Sequence, residues 1–160
     1  MEERLTHLGQ HDALFSHDGI RDAQTHLASP AFFYELLRRQ VALASRSELR
    51  FSAVKITFMH NEKGDSDQTV NAEDILKFSH ELRALTRSED CIGRLGINEC
   101  VALIADGELA ARQLISRLRS SPELSINQSL HLELSMVTSL RGETGLQLLN
   151  RLDAAPLSTH

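Results

Sequence analysis

The segment RSED, residues 87–90, places an arginine and an aspartate three positions apart. An arginine guanidinium is a planar fork that can donate to O6 and N7 of guanine, and a carboxylate can accept from the N1 and N2 hydrogens of that base. Arg87 and Asp90 could therefore bind guanine together. The simpler interpretation is an ion pair at a helix end, worth roughly a few tenths of a kcal/mol. The chain has 17 basic and 22 acidic residues, so such pairs arise easily.

A second candidate region is the segment RLGINEC, in which a glycine and an asparagine lie between two short apolar runs. This pattern predicts a tight β-hairpin. With the turn centred on residues 97 and 98, we expect Cys91 opposite Ile104 and Cys100 opposite Leu95. The two thiols then do not face each other, which fits a compartment where cysteines stay reduced.

Metal-binding residues form no complete set. The eight histidines are dispersed along the chain, and no further cysteine accompanies the two in the hairpin. His7 and His11 are four positions apart, as a helical metal site requires, but they lie in a polar leader over residues 1–18. We predict no metal site and no cofactor.

Length and charge limit the class of protein. A chain of 160 residues that is 41% hydrophobic is long enough for one compact domain, which we place at residues 19–157. The formal net charge of −5 argues against binding a nucleic acid polymer or an anionic membrane, but not a small anionic ligand. No apolar run approaches the roughly 20 residues of a membrane span, and the leader lacks the apolar segment of a signal peptide. We expect a cytoplasmic protein.

Hydrophobic periodicity predicts the elements that would position these residues. Ser29 is a good N-cap and Pro30 suits the first helical position, so a helix is predicted over residues 30–46. A run rich in β-branched and aromatic residues predicts a core strand over residues 51–59. The remaining predictions are helices over residues 72–87, 107–119 and 143–154, a strand over 130–137, and an exposed polar loop between 60 and 74.

Together these elements predict an α+β fold, with a mostly antiparallel central β-sheet flanked by helices. The helices that contain Leu36 and Phe78 are expected to pack against this sheet. The residues predicted to lie in the one central sheet are Val54, Ile56, Phe58, Leu103, Leu134 and Met136.

The order of these elements and their motifs resembles the GGDEF domain of diguanylate cyclases, which join two GTP molecules into cyclic di-GMP. The likeness covers residues 22–155 and includes RLGINEC where the family has R-x-G-G-D-E-F. The other similar segments are DAQTHLASPAFF, FSAVKITFM, the helix ending ELRALTRSED, LELSMV and LQLLNRLDAA. The resemblance implies the nucleotide-cyclase-like fold.

The departures from the family pattern imply that catalysis is lost. Family catalysis uses carboxylates that hold two divalent cations against the triphosphate, and the aligned residues here are Thr57 and Asn98. The aspartate that reads guanine is replaced by Ala72, and Ile97 replaces a glycine that lets the triphosphate approach the backbone. The degenerate signature comprises Gly96, Ile97, Asn98, Glu99 and Cys100. We therefore expect no enzyme activity.

One family site is retained. Arg87 and Asp90 match the R-x-x-D inhibitory site, at which the family binds its product cyclic di-GMP, because Asp90 precedes Gly96 by six residues. The phosphates of that ligand would need further cations. The candidates are Arg83, Arg117 and Arg119.

Two functions remain open from the sequence. The first is a catalytically inactive receptor that binds cyclic di-GMP and relays the signal to a protein partner. The second is a protein-interaction module without nucleotide binding, which docks onto a signalling partner or forms a homodimer.

Overall fold

The computed structural model describes residues 20–22, 24–60, 72–122 and 130–159. The leader, His7 and His11 therefore lie outside the described residues, as does most of the predicted polar loop. The elements, in chain order, are α1 (Pro30–Ser47), β1 (Ser52–His60), α2 (Ala72–Leu85), β2 (Cys91–Arg94), β3 (Glu99–Ile104), α3 (Glu108–Ser120), β4 (Leu130–Thr138), α4 (Gly145–Ala154) and β5 (Ser158–Thr159).

The five strands form one antiparallel sheet in the order β2-β3-β1-β4-β5. The central strand β1 pairs with β3 on one side and with β4 on the other. The predicted α+β fold, with an antiparallel central sheet flanked by helices, is confirmed. The short strand β5 was not predicted, because two residues are too few to show a periodicity.

The start of α1 follows the sequence signals. The Ser29 side chain accepts a hydrogen bond from the backbone N–H of Phe32, and Pro30 occupies the first turn. Gly93 on β2 lets this helix approach the sheet, since a Cβ atom there would lie 2.5 Å from the ring of Phe33. Phe33 is fully buried, so that contact fixes α1 against β2.

The sheet separates two hydrophobic cores. On one face, Val54, Ile56 and Phe58 pack with α2 and α3, and the Phe58 and Phe78 rings stack with centroids 4.4 Å apart. On the other face, Ala53 and Leu103 pack with α1 and α4. The predicted core residues therefore share one sheet, as expected, but Leu103 faces the core opposite to that of Val54.

The hairpin register differs from the prediction by one residue. Cys91 lies opposite Leu103 and Cys100 lies opposite Arg94, so the expected partners Ile104 and Leu95 are wrong. The cause is the turn: the backbone N–H groups of Leu95 and Gly96 both donate to the Glu99 carbonyl, which closes a three-residue loop instead of a two-residue one. The two thiols still do not face each other, and both cysteines are free.

Among the helices that the structure describes, none has the length and apolar character of a membrane-spanning segment.

Candidate functional site

The predicted R-x-x-D pair lies in the connection between α2 and β2. The helix ends at Leu85, two residues earlier than predicted, where the Thr86 hydroxyl donates to the carbonyls of Leu82 and Arg83 at 3.0 and 3.2 Å. A serine or threonine that bonds back to the preceding turn competes with further helical hydrogen bonds. Arg87 and Asp90 are thereby placed in a turn and not on the helix.

The turn is closed by hydrogen bonds between Arg87 and Asp90. The Arg87 backbone N–H donates to Asp90 Oδ2 at 3.1 Å, and the Asp90 backbone N–H donates to the Arg87 carbonyl at 3.1 Å. The two residues therefore form a local unit, but the Arg87 guanidinium takes no part in it. That guanidinium instead forms an ion pair with Asp106, which follows β3. Both side chains of this ion pair are about half exposed or more, at 49% and 61%.

Around this turn is a cleft of about 530 Å³, which we call the arginine cleft. Arg83, Arg87 and Asp90 line it together, so the structure brings three of the predicted site residues to one place. Its apolar wall comes from Leu27, Phe32, Leu36 and Ile92. Arg117 and Arg119 lie in the last turn of α3 and are not among the residues that line this cleft.

Partial burial changes the ionisation of two groups in the cleft. Burial raises the pKa of the Asp90 carboxyl above its ordinary value of 3.8, and the backbone N–H groups of Arg87 and Ala105 oppose that rise. Burial also raises the pKa of the Cys91 thiol to about 11, so this thiol remains protonated at neutral pH.

The hairpin contains a very different arginine. The Arg94 side chain is 1% exposed and forms an ion pair at 2.9 Å with Asp22, whose side chain is 2% exposed. Arg94 Nε donates to the Gly96 carbonyl at 3.2 Å, and Nη2 donates to the Ile97 carbonyl at 2.9 Å. The Thr25 hydroxyl and backbone N–H also donate to Asp22. This buried network holds the turn against the start of the domain.

Thr57 and Asn98, two of the positions aligned with the family's catalytic site, lie close together on β1 and at the hairpin turn. Thr57 is directly opposite Glu99 on β3 and opposite Glu133 on β4. Asn98 Nδ2 donates to the Phe58 carbonyl at 3.1 Å, and the Phe58 N–H donates to the Asn98 carbonyl at 3.0 Å. Asn98 therefore extends the pairing between the hairpin and β1. Ala72 begins α2 and is exposed.

Sequence reasoning missed two groups that face the arginine cleft. Arg21 and His26 line it, although they lie more than fifty positions before Arg83. Arg21 Nη1 donates to the His26 carbonyl at 2.9 Å. An isolated bridge from Ala28 to Gly93 brings this segment alongside β2. The available signal was the similarity of DAQTHLASPAFF to a family motif, but it gave no indication of a contact with residues 83–90.

No protein-family model and no curated protein matches the sequence. Solved structures do match. The diguanylate cyclase SiaD of Pseudomonas aeruginosa, in complex with its activator SiaC, aligns with a TM-score of 0.70 at 20% identity, covering 84% of this chain and 55% of SiaD. The GGDEF domain of DgcB from Caulobacter crescentus, in complex with c-di-GMP, aligns with a TM-score of 0.69 at 16% identity, covering 87% and 86%.

The GGDEF domain of FimX from Pseudomonas aeruginosa aligns with a TM-score of 0.65 at 14% identity, covering 84% of this chain and 90% of that domain's chain. The chain spans about half of the SiaD chain, and most of the DgcB and FimX domains. The fold is that of GGDEF domains.

Proposed function

We propose that this chain, which has the fold of GGDEF domains, binds cyclic di-GMP in the arginine cleft without synthesising it. The observation that carries the proposal is that Arg83, Arg87 and Asp90 line one cleft. Support also comes from DgcB, a structural neighbour that was solved in complex with c-di-GMP.

The roles of these residues follow from their chemistry. The Arg87 fork donates to O6 and N7 of one guanine, and the Asp90 carboxylate accepts from the N1 and N2 hydrogens. Arg83 and Arg21 supply positive charge for the phosphates. To reach the base, Arg87 must leave Asp106, and an exposed ion pair of this kind contributes only about 0–1 kcal/mol.

The proposed loss of synthesis is inferred from two positions, Thr57 on β1 and Asn98 at the hairpin turn. Thr57 and Asn98 replace the two metal-binding carboxylates of the family, and neither can supply an anionic ligand. Glu99 and Glu133 flank Thr57, but Asn98 uses its amide to bond β1. A domain that binds the product and does not make it would act as a receptor, passing the signal to a protein partner.

The test is calorimetric titration of the whole chain with cyclic di-GMP. We expect saturable binding by the wild type, and a loss of roughly 1–3 kcal/mol, about fivefold to 150-fold in affinity, in Arg87→Ala and in Asp90→Ala. Arg87→Lys should not restore affinity, because an ammonium group cannot form two parallel hydrogen bonds with the base.

The matched control is Asp106→Asn. This variant removes the competing partner of Arg87, so its affinity should equal or exceed that of the wild type, by up to about fivefold for 1 kcal/mol. An absence of heat with the wild type, or equal affinity in Arg87→Ala, would contradict the proposal.

A second candidate function is a docking module without nucleotide binding. The observation that favours it is that SiaD, a structural neighbour, was solved in complex with an activator protein. If the chain has this function, titration with cyclic di-GMP should give no heat of binding. The chain should instead associate with a protein or with a second copy of itself.

A further inference from the structure

A larger cavity lies at the other end of α1 and shares no residue with the arginine cleft. It measures about 830 Å³ and runs between α1 from Tyr34 onward, the 139–144 connection and the start of α4. We call it the leucine groove. Its floor is apolar: Leu37, Phe51 and Leu148 are buried there, and Val41 and Leu149 are half-buried.

The groove continues outward into exposed apolar side chains. Tyr34 is 50% exposed, Leu49 69%, Leu140 52% and Leu146 71%, and all four line the groove. Single exposed leucines are normal on a protein surface, but several around one apolar depression indicate an interaction site. A small ligand in the floor would leave these side chains exposed, whereas a macromolecular partner would cover them.

The length of the groove suits a helix. Along α1 its lining runs from Tyr34 to Glu48, the residue that caps the helix, which corresponds to about 20 Å at 1.5 Å per residue. A partner helix of about 14 residues has the same length. Amphipathic helices commonly bind in this way, with an apolar face laid into an apolar groove.

The charged side chains at the rim of the leucine groove indicate which charge a partner should carry. Arg50 is exposed, and among the described residues it has no hydrogen bond or ion pair. Arg141 is 90% exposed and contacts Glu48 only at 3.4 Å, a pair that contributes little. Glu143 does not offset these arginines, because Arg151 binds it at 2.5 and 2.8 Å and its side chain is 8% exposed.

From these observations we infer that the leucine groove binds an acidic amphipathic helix of a partner protein. Leucines on one face of that helix would cover the groove floor and the exposed leucines, and flanking glutamates would meet Arg50 and Arg141. Glu35 binds Arg38 and Arg151 binds Glu143, which leaves Arg50 and Arg141 against the exposed Glu48 at the rim. The rim is therefore locally positive in a chain of net charge −5, so the partner's charge is set by the groove and not by the whole molecule. The inference does not depend on nucleotide binding.

The probe is a synthetic helical peptide of about 14 residues, with leucines at helical spacing and glutamates on the flanks. Its binding to the whole chain is followed by fluorescence anisotropy and by amide chemical shifts. We expect shifts confined to the groove, and about tenfold weaker binding of a peptide in which lysines replace the glutamates.

Leu146→Glu should weaken binding of the acidic peptide about tenfold or more, and Arg50→Glu should weaken it less. Leu146 lies in the first turn of α4 and is 71% exposed, so a glutamate there does not threaten folding. The control is Leu76→Glu on α2, which is 48% exposed, does not line the groove and lies on a helix that packs against the opposite face of the sheet. Each variant should bind cyclic di-GMP as the wild type does, which separates this inference from the proposed function.

The inference would be overturned by no binding of the acidic peptide, by equal binding of the lysine peptide, or by shifts outside the groove. Self-association of the wild type that Leu146→Glu abolishes would assign the groove to a second copy of this chain, and would also overturn it.

Discussion

The two ends of strand β2 hold arginines in opposite states. At its last residue, Arg94 is buried, and its guanidinium is used by Asp22 and by the carbonyls of the hairpin turn. Four residues before its first residue, Arg87 is half-exposed and forms an ion pair with one exposed partner, Asp106. The comparison shows that two arginines in family-like motifs can have different roles in the molecule. Arg94 is part of the fold, whereas the exposed ion pair of Arg87 can be broken at small cost.

The largest effect expected from this comparison is on stability. Arg94→Ala leaves the Asp22 carboxylate buried without its cation, and breaking a buried pair in this way costs about 3–5 kcal/mol. Arg87→Ala removes only an exposed pair and should cost about 0–1 kcal/mol. Urea denaturation followed by circular dichroism measures both. Similar losses in the two variants would mean that the two arginines do not differ as described.

A smaller effect is expected from restoring a carboxylate to the hairpin. In Asn98→Asp the side chain can no longer donate to the Phe58 carbonyl, which should cost about 1–3 kcal/mol. The variant should also fail to convert GTP with magnesium or manganese, because Thr57 and Ala72 still lack carboxylates. Chromatography of the nucleotides after incubation tests this. Formation of cyclic di-GMP by the wild type or by the variant would show that the hairpin retains its chemistry.

The smallest effect concerns pH. Burial raises the pKa of Asp90, so as pH falls this carboxylate takes up a proton earlier than an ordinary aspartate of pKa 3.8. A protonated Asp90 accepts guanine hydrogens poorly, and affinity for cyclic di-GMP should therefore decline on acidification before ordinary aspartates titrate. Titrations at several pH values measure this, and Asp90→Asn should remove the dependence. An affinity that stays constant down to the ordinary aspartate range would contradict the role of Asp90.

The raised pKa of Asp90 affects the stability of the fold in the opposite direction to its effect on ligand binding. Because the folded state binds this proton more tightly than the unfolded state, the contribution of Asp90 to stability is fully present at low pH. It is lost as pH rises through the folded pKa. Acid should therefore weaken ligand binding through Asp90 without weakening the fold through the same group.

Local signals predicted most of the fold. The capping serine, the proline after it and the apolar spacing of α1 are all contained within a few residues, and the structure places that helix one residue beyond the prediction at its end. The alternating strand β4 and the apolar strand β1 were predicted for the same reason. The end of α2 was missed by two residues, because it depends on which carbonyls the Thr86 hydroxyl bonds.

Contacts between distant segments were not predictable from one sequence. Asp22 and Arg94 are 72 positions apart, and neither residue type indicates that the other is its partner. The same applies to Arg21 beside Arg87, and to the leucine groove, whose two sides come from α1 and α4. The R-x-x-D pair was identifiable because its two residues are only three positions apart.

The hairpin also bears on how the chain finds its native pairing. Both faces of β3 are apolar and buried, so a slip of one residue would exchange one apolar set for another and would be penalised only weakly by burial. The hydrogen bonds from Arg94 to the turn carbonyls, and from Asn98 to Phe58, form in one alignment alone. The side chains of the degenerate signature hairpin therefore select a single strand alignment. Correct folding alone gives this chain a need for Arg94 and Asn98.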